Sequence, residues 1–264
     1  MHPAPQGYAP PISTPLPGPT PLPGPGPLPA PGRRTGIDRA PSVIARSIII
    51  VSFAFMIFPA IDLAVAHRVA DGSVFVLAQD PFLKGLRAFG QGSPAWILGP
   101  LLLLILAHRF LPRRYAICPP HKPLFVLMSF AAGPLLIVHT LKPLIGRARP
   151  RQLLDFGGAA DFTPVWQFSD ACARNCSFPS GEAAGAAAAL SLLVFVPARL
   201  RWVAALILAP VLMMIAGNRV LFGAHFLSDV VLAWLFTMLA MAWIWRWMQP
   251  RAARIDRVLS SARP

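Results

Sequence analysis

The sequence predicts an all-α integral membrane protein with six transmembrane helices, and three observations carry that prediction. Hydrophobic residues make up 55% of the 264-residue chain and charged residues 13%, against about 45–50% and about 25% in soluble domains. The mean hydropathy is +0.58. Six apolar runs recur along the chain, separated by charged or Gly/Pro breaks. Several fall short of the roughly 18 residues that mark a span alone, so the count rests on all six together. Spans of about 20 residues leave room for a tail and loops but for no separate soluble catalytic domain. Any chemistry is then built from the spans and their connections.

Residues 1–41 hold 14 of the 31 prolines, in an inexact repeat (PLPGPT from Pro15, PLPGPG from Pro21, PLPAPG from Pro27). Such a stretch cannot bury a core and predicts a disordered, solvated polyproline II tail. It does not have the basic-then-apolar layout of a signal peptide. Residues 42–250 form the six-span domain, with runs at Ile48–Ala66, Pro94–Ala107, Pro123–Leu141, Ala183–Val196, Trp202–Gly217 and Val230–Trp247. Between the first two, Val74–Gly90 mixes Phe75, Leu77 and Phe82 with Asp80, Lys84 and Arg87 and reads as a helix lying against headgroups. Residues 251–264 form a basic cytoplasmic tail.

Lys and Arg number 24 against 10 Asp and Glu, a net charge of +14. In a soluble chain that excess would point to nucleic acid. In this apolar one it is loop charge, and the partners expected are the bilayer and a phosphorylated membrane lipid, with no nucleic acid. With both termini inside, the inward segments carry fifteen of the 24 cations, and eight of the ten acids lie outward. The positive-inside rule therefore predicts N-in, C-in. The long third-to-fourth connection and the short fifth-to-sixth one then face the periplasm of a bacterial inner membrane.

Those two connections hold groups suited to phosphate. Past the third span comes Lys142-Pro-Leu-Ile-Gly-Arg147-Ala-Arg149-Pro150-Arg151; cations at a span end also snorkel to headgroups. Phe178-Pro179-Ser180-Gly181-Glu182 precedes an alanine-rich run. Ser180 suits an N-cap, Gly181 permits close backbone approach, and the helix start behind them suits an anion. A plain helix start reads the same way. Entering the last span, Arg219-Val-Leu-Phe-Gly-Ala-His225-Phe-Leu-Ser-Asp229 puts His225 and Asp229 four apart, on one helical face. An aspartate there can hold one imidazole nitrogen and free the other as base or nucleophile; a capping contact is the alternative. The other histidines show no ligand spacing with His225, so neither metal nor cofactor is expected.

Together the three pieces resemble the PAP2 (type 2 phosphatidic acid phosphatase, or lipid phosphate phosphatase) superfamily, whose blocks are K-x6-RP, PSGH and SR-x5-H-x3-D. The chain reads Lys142-x6-Arg149-Pro150, Pro179-Ser180-Gly181-Glu182 and Asn218-Arg219-x5-His225-x3-Asp229. The resemblance runs from the first span to the end of the sixth and implies a PAP2-type helical core. It also implies that His225 takes the phosphoryl group as a phosphohistidine and that Asp229 orients it. Lys142, Arg149, Arg219, Ser180 and the Gly181 N–H would hold the phosphate oxygens, without metal. Phosphoryl transfer needs positioning and charge neutralisation above all, and guanidinium forks fit phosphate. Arg147 and Arg151 match no motif position and read as loop or headgroup contacts.

The chain departs from that pattern at two positions. Asn218 replaces a serine and keeps a hydrogen-bonding side chain. Glu182 replaces the histidine that would protonate the leaving group, a job a carboxyl does only when it carries a proton. Three readings stay open: Glu182 is the acid, the leaving group needs little help, or the protein binds phosphorylated lipid without turnover. The expected substrates are lipid A, undecaprenyl diphosphate or phosphatidylglycerol phosphate, as monoester or diphosphate. Asn175-Cys-Ser-Phe-Pro-Ser-Gly-Glu182 is most similar to the lipid A phosphatase branch. A non-catalytic lipid-phosphate binding or transport protein using the same pocket is the alternative. Cys172 and Cys176 lie outward, where an oxidising compartment permits a disulfide and two free thiols are the alternative, while Cys118 lies inward and reduced.

Overall fold

A computed structural model describes residues 36–110 and 117–260. Most of the proline-rich segment, and Arg113, Arg114 and Arg263, lie outside the described residues. Nine α-helices follow in order among the described residues: α1 Gly36–Ile57, α2 Ala60–Val69, α3 Pro81–Phe110, α4 His121–Phe130, α5 Val138–Ile145, α6 Gly181–Ala189, α7 Arg201–Leu221, α8 Leu227–Met248 and α9 Ala252–Leu259. Among the described residues β structure is limited to two isolated bridges. Five helical stretches among the described residues are long and apolar enough to cross a membrane, at Arg39–Ile57, Pro81–Phe110, His121–Gln152, Ala198–Leu221 and Leu227–Leu259. The sixth predicted run is the shorter apolar helix Gly181–Phe195. The chain is an all-helical, multi-span membrane protein.

The short helix is central. Six of the nine residues of α6 are buried alanines, and α6 packs against both α7 and α8. Methyl side chains let neighbouring backbones approach closely, as small residues do in membrane bundles. Its last turns tighten into a 3₁₀ segment at Leu190–Phe195. Close approach recurs where the turns after α4 meet α8: a Cβ on Gly133 would lie 2.6 Å from Thr237 Cγ2. The third run is continuous but widens into π turns over Ala131–Ile137, which contain Pro134. Proline removes an N–H from the helical ladder, a common cause of such local rearrangement.

Two expectations are corrected. The first run is not one helix: α1 ends at Ile57 and α2 starts at Ala60, because Pro59 cannot donate and disfavours helical backbone before it. The break turns Asp62 into the protein, where it is 1% exposed. The segment Val74–Gly90, predicted as an interfacial helix, is not a separate helix either. It is a 3₁₀ turn at Val76–Gln79 followed by the start of α3, which Asp80 caps by accepting from the Leu83 N–H at 2.8 Å. Phe75 is buried against Phe156 and Gly223, while Leu77, Phe82 and Phe89 are exposed. The basic C-terminal segment forms α9, whose Asp256 accepts from the His121 N–H at 2.8 Å and pairs with its ring Nδ1 at 2.9 Å.

Candidate active site

Two connections meet at the site: the long one from α5 to α6, by both of its ends, and the turn from α7 to α8. These segments are pinned to each other by main-chain bonds. Ser177 N–H donates to the Arg147 carbonyl at 2.8 Å, Ser180 N–H to the Asp229 carbonyl at 3.2 Å, and Arg151 N–H to the Gly223 carbonyl at 3.0 Å. Gly223 sits at φ +57 against the Phe75 ring, where a Cβ would lie 2.4 Å from Cδ2, so the α7–α8 turn requires glycine.

His225 lies in that turn, 3% exposed. Its Nδ1 is 2.6 Å from the Ser177 carbonyl oxygen. A carbonyl only accepts, so Nδ1 carries the proton and Nε2 keeps its lone pair. Asp229 Oδ2 is 3.7 Å from Nδ1, farther than the direct contact the His-x3-Asp spacing invites. Asp229 instead accepts from Ser177 Oγ at 2.5 Å and the Phe226 N–H at 2.8 Å. It therefore holds the imidazole through Ser177. Burial, which penalises the imidazolium, lowers the His225 pKa to about 4, with the Asp229 carboxylate opposing that shift.

Arg147, read from sequence as a loop or headgroup contact, is 0% exposed. Its guanidinium donates to Asp229 Oδ1 at 2.6 Å, to Asp62 Oδ2 at 2.9 Å and to the Thr163 carbonyl at 2.7 Å, and lies 4.1 Å above the Phe226 ring centre. Ser228 holds Asp62 by both of its donors, the N–H to Oδ1 at 2.9 Å and the hydroxyl to Oδ2 at 2.5 Å. A buried cation between two carboxylates satisfies the rule that buried charges are paired. The signal was the acid inside an apolar run, since an ionisable residue there needs a partner.

The phosphate-type residues gather around this core. Arg149 Nε and Nη2 donate to the Asn175 carbonyl at 3.0 and 2.8 Å, and Lys142 Nζ donates to Asn175 Oδ1 at 3.2 Å. Arg219 is 3% exposed, and its Nε and Nη1 have no hydrogen-bond partner; Nε lies 3.3 Å from Glu182 Oε1. Nη1 is thus a buried donor without an acceptor, the kind of group that an incoming acceptor satisfies. Glu182 Oε1 also accepts from Gln91 Nε2 at 3.1 Å and lies 3.9 Å from Arg87 Nε, while Oε2 is buried without a partner. Gln91 and Arg87 come from α3, and their spacing to Glu182 carries no sequence signal. Ser180 caps α6, accepting from the Ala183 N–H at 3.4 Å, and Asn218 donates to the Leu83 carbonyl at 3.0 Å, tying α7 to α3. A cavity of about 610 Å³ lined by Lys142, His139, Arg174, Asn175 and Gly181 opens beside the site. Arg151 is exposed, and Cys172 and Cys176 are disulfide-bonded. Among the described residues no three His, Cys, Asp or Glu side chains are grouped to hold a metal ion.

The structure is thus a helical membrane bundle with a buried histidine and several cations gathered at one site. The PAP2 superfamily model matches residues 122–253, half of the chain, and the chain belongs to that superfamily. It is 46% identical over 117 residues to a lipid A 4'-phosphatase of Rhizobium leguminosarum, a match covering 44% of this chain and 50% of that one. It is 28% identical over 198 residues to a lipid A 4'-phosphatase of Francisella tularensis subsp. novicida, covering 72% and 86%. The match thus spans about half the length of the Rhizobium relative. A PAP2-type phosphatidylglycerolphosphate phosphatase from Bacillus subtilis shares the fold, with a TM-score of 0.54 and 20% identity over 80% of this chain and 97% of that one.

Proposed function

We propose that the protein is a metal-independent lipid phosphatase of a bacterial inner membrane, acting at the periplasmic face, with a lipid A phosphate as its substrate. The observation that carries the reading is the neutral His225, its Nδ1 committed to Ser177 and its Nε2 unprotonated, in the same site as the open Nη1 donor of Arg219. The two relatives named as lipid A 4'-phosphatases favour lipid A over undecaprenyl diphosphate and phosphatidylglycerol phosphate. In the proposed reaction Nε2 attacks phosphorus, forming an N–P bond as the P–O bond to the lipid breaks. The leaving oxygen takes the bonding pair and a proton from Glu182. Water then cleaves the phosphohistidine, its proton returns to Glu182, and the electron pair returns to Nε2. Asp229 positions His225, while Lys142, Arg149, Arg219, Ser180 and the Gly181 N–H hold the phosphate oxygens.

Phosphate release by the purified protein from a micellar panel of these three lipids tests the reading. Release from lipid A at the highest rate is the expected result. Phosphate binding with no release from any lipid would mean the non-catalytic binding or transport reading instead. The outward orientation rests on the charge asymmetry of the loops; labelling of a cysteine placed at Asp161 only from the cytoplasmic side would reverse it.

The free Oε2 of Glu182 is the atom on which a transferable proton would sit, with Oε1 held by Gln91. Glu182→Gln keeps the side chain's size and loses the proton. It is expected to slow hydrolysis of a lipid monoester by about 10²–10⁴-fold and of a matched diphosphate much less, because phosphate leaves without help. Equal losses on both substrates would remove Glu182 from proton transfer.

A further inference from the structure

Both cations of the first block converge on one neutral side chain. Asn175 lies within the five-residue loop closed by Cys172 and Cys176, at φ +55, a left-handed conformation that asparagine adopts more readily than most residues. In that conformation its backbone carbonyl and its side-chain oxygen both serve the cations. The carbonyl takes Arg149 Nε and Nη2, and Oδ1 takes Arg149 Nη2 at 2.8 Å and Lys142 Nζ at 3.2 Å. Among the described residues neither cation has a carboxylate within ion-pair distance. Asn175 also lines the cavity that Lys142 and Gly181 border.

The chemistry of the acceptor matters here. An aspartate would grip both cations more tightly but would cancel part of their charge and compete with a phosphate for the same N–H groups. A neutral amide holds the two heads at a fixed separation and leaves their full charge for the ligand. We propose that Asn175 is a positioning residue that sets the spacing of Lys142 and Arg149 for phosphate. On this proposal the Cys172–Cys176 link holds the loop that presents it. The proposal rests on the reading of this site as a phosphate site and adds a residue to which the family pattern assigns no role.

The test is the affinity of the purified protein in detergent for inorganic phosphate, measured by calorimetry alongside its melting temperature. Asn175→Asp is nearly isosteric and tolerates the same backbone conformation. It should keep the melting temperature and weaken phosphate binding by about tenfold to hundredfold, since it places a negative charge within about 3 Å of both cations. Asn175→Gly keeps the left-handed turn and the backbone carbonyl and should weaken binding by roughly fivefold to tenfold through loss of Oδ1. The double variant Cys172→Ser, Cys176→Ser should weaken binding similarly, and adding Asn175→Gly to it should cost little more, because both act through the same contact. Parent-like phosphate affinity in Asn175→Asp would overturn the proposal, since a purely structural asparagine predicts that result. Parent-like affinity in the cysteine double variant would overturn the role of the link. Lipid turnover is scored separately: a parent that binds phosphate but releases none from lipid overturns the enzymatic reading and leaves this one standing.

Discussion

Replacing His225 with alanine is expected to lower phosphate release by on the order of 10⁴–10⁶-fold, the scale seen when a covalent nucleophile is removed. The bundle should survive the change. The substitution deletes one buried ring and leaves the Ser177 carbonyl without its donor, a cost of about 1–3 kcal/mol. The pH behaviour gives a second readout. Because burial holds His225 at a pKa of about 4 rather than the ordinary 6.5, the neutral nucleophile persists well into acid. The acid limb of kcat/KM should therefore fall near pH 4. The same shift acts on stability. Between pH 6.5 and 4 the unfolded chain takes up a proton that the folded one refuses, so the parent loses stability as pH falls through that window. His225→Ala lacks that slope, and the gap in melting temperature between parent and variant should narrow from pH 6.5 to 4. A variant retaining more than about one part in 10³ of the parent rate would rule out the phosphohistidine route.

Arg147→Met is expected to have the largest effect on stability. The substitution removes the cation that Asp62 and Asp229 share and leaves two carboxylates facing each other in a site with almost no solvent contact. Removing one partner of a buried ion pair costs about 3–5 kcal/mol, which for a chain of this size lowers the melting temperature by roughly 10 °C or more. Turnover should fall as well, because Asp229 loses one of the groups that hold it beside His225. Adding Asp62→Asn removes one of the stranded charges and should recover part of the lost stability. Melting of the three proteins in one detergent decides the point: an Arg147→Met protein as stable as the parent would show that the cluster is not a structural centre.

Much of this protein is determined locally. Six apolar runs require helices in a bilayer, because a spanning backbone must satisfy its own polar groups. The three short motifs place Lys142, Ser180, Arg219 and His225 at the ends of those helices through spacing alone. Ser180 caps α6, a role that suits its position before the alanine run. Contacts between segments distant in sequence were not legible in this way. Pro59 marks a break, but nothing local says that the break turns Asp62 inward to meet Arg147, 85 positions away. The His-x3-Asp spacing predicts one helical face for both side chains, yet His225 lies in the turn before α8 and its imidazole bonds the Ser177 carbonyl, which the loop into α6 delivers. Gln91 reaches Glu182 because α3 continues as one helix through a segment whose mixed composition reads as interfacial. Periodicity and spacing report a residue's surroundings along its own helix or turn. The pairing of buried charges, and the placing of neutral acceptors such as Asn175 beside cations, depends on which helices pack together, and that was decided only by the tertiary structure.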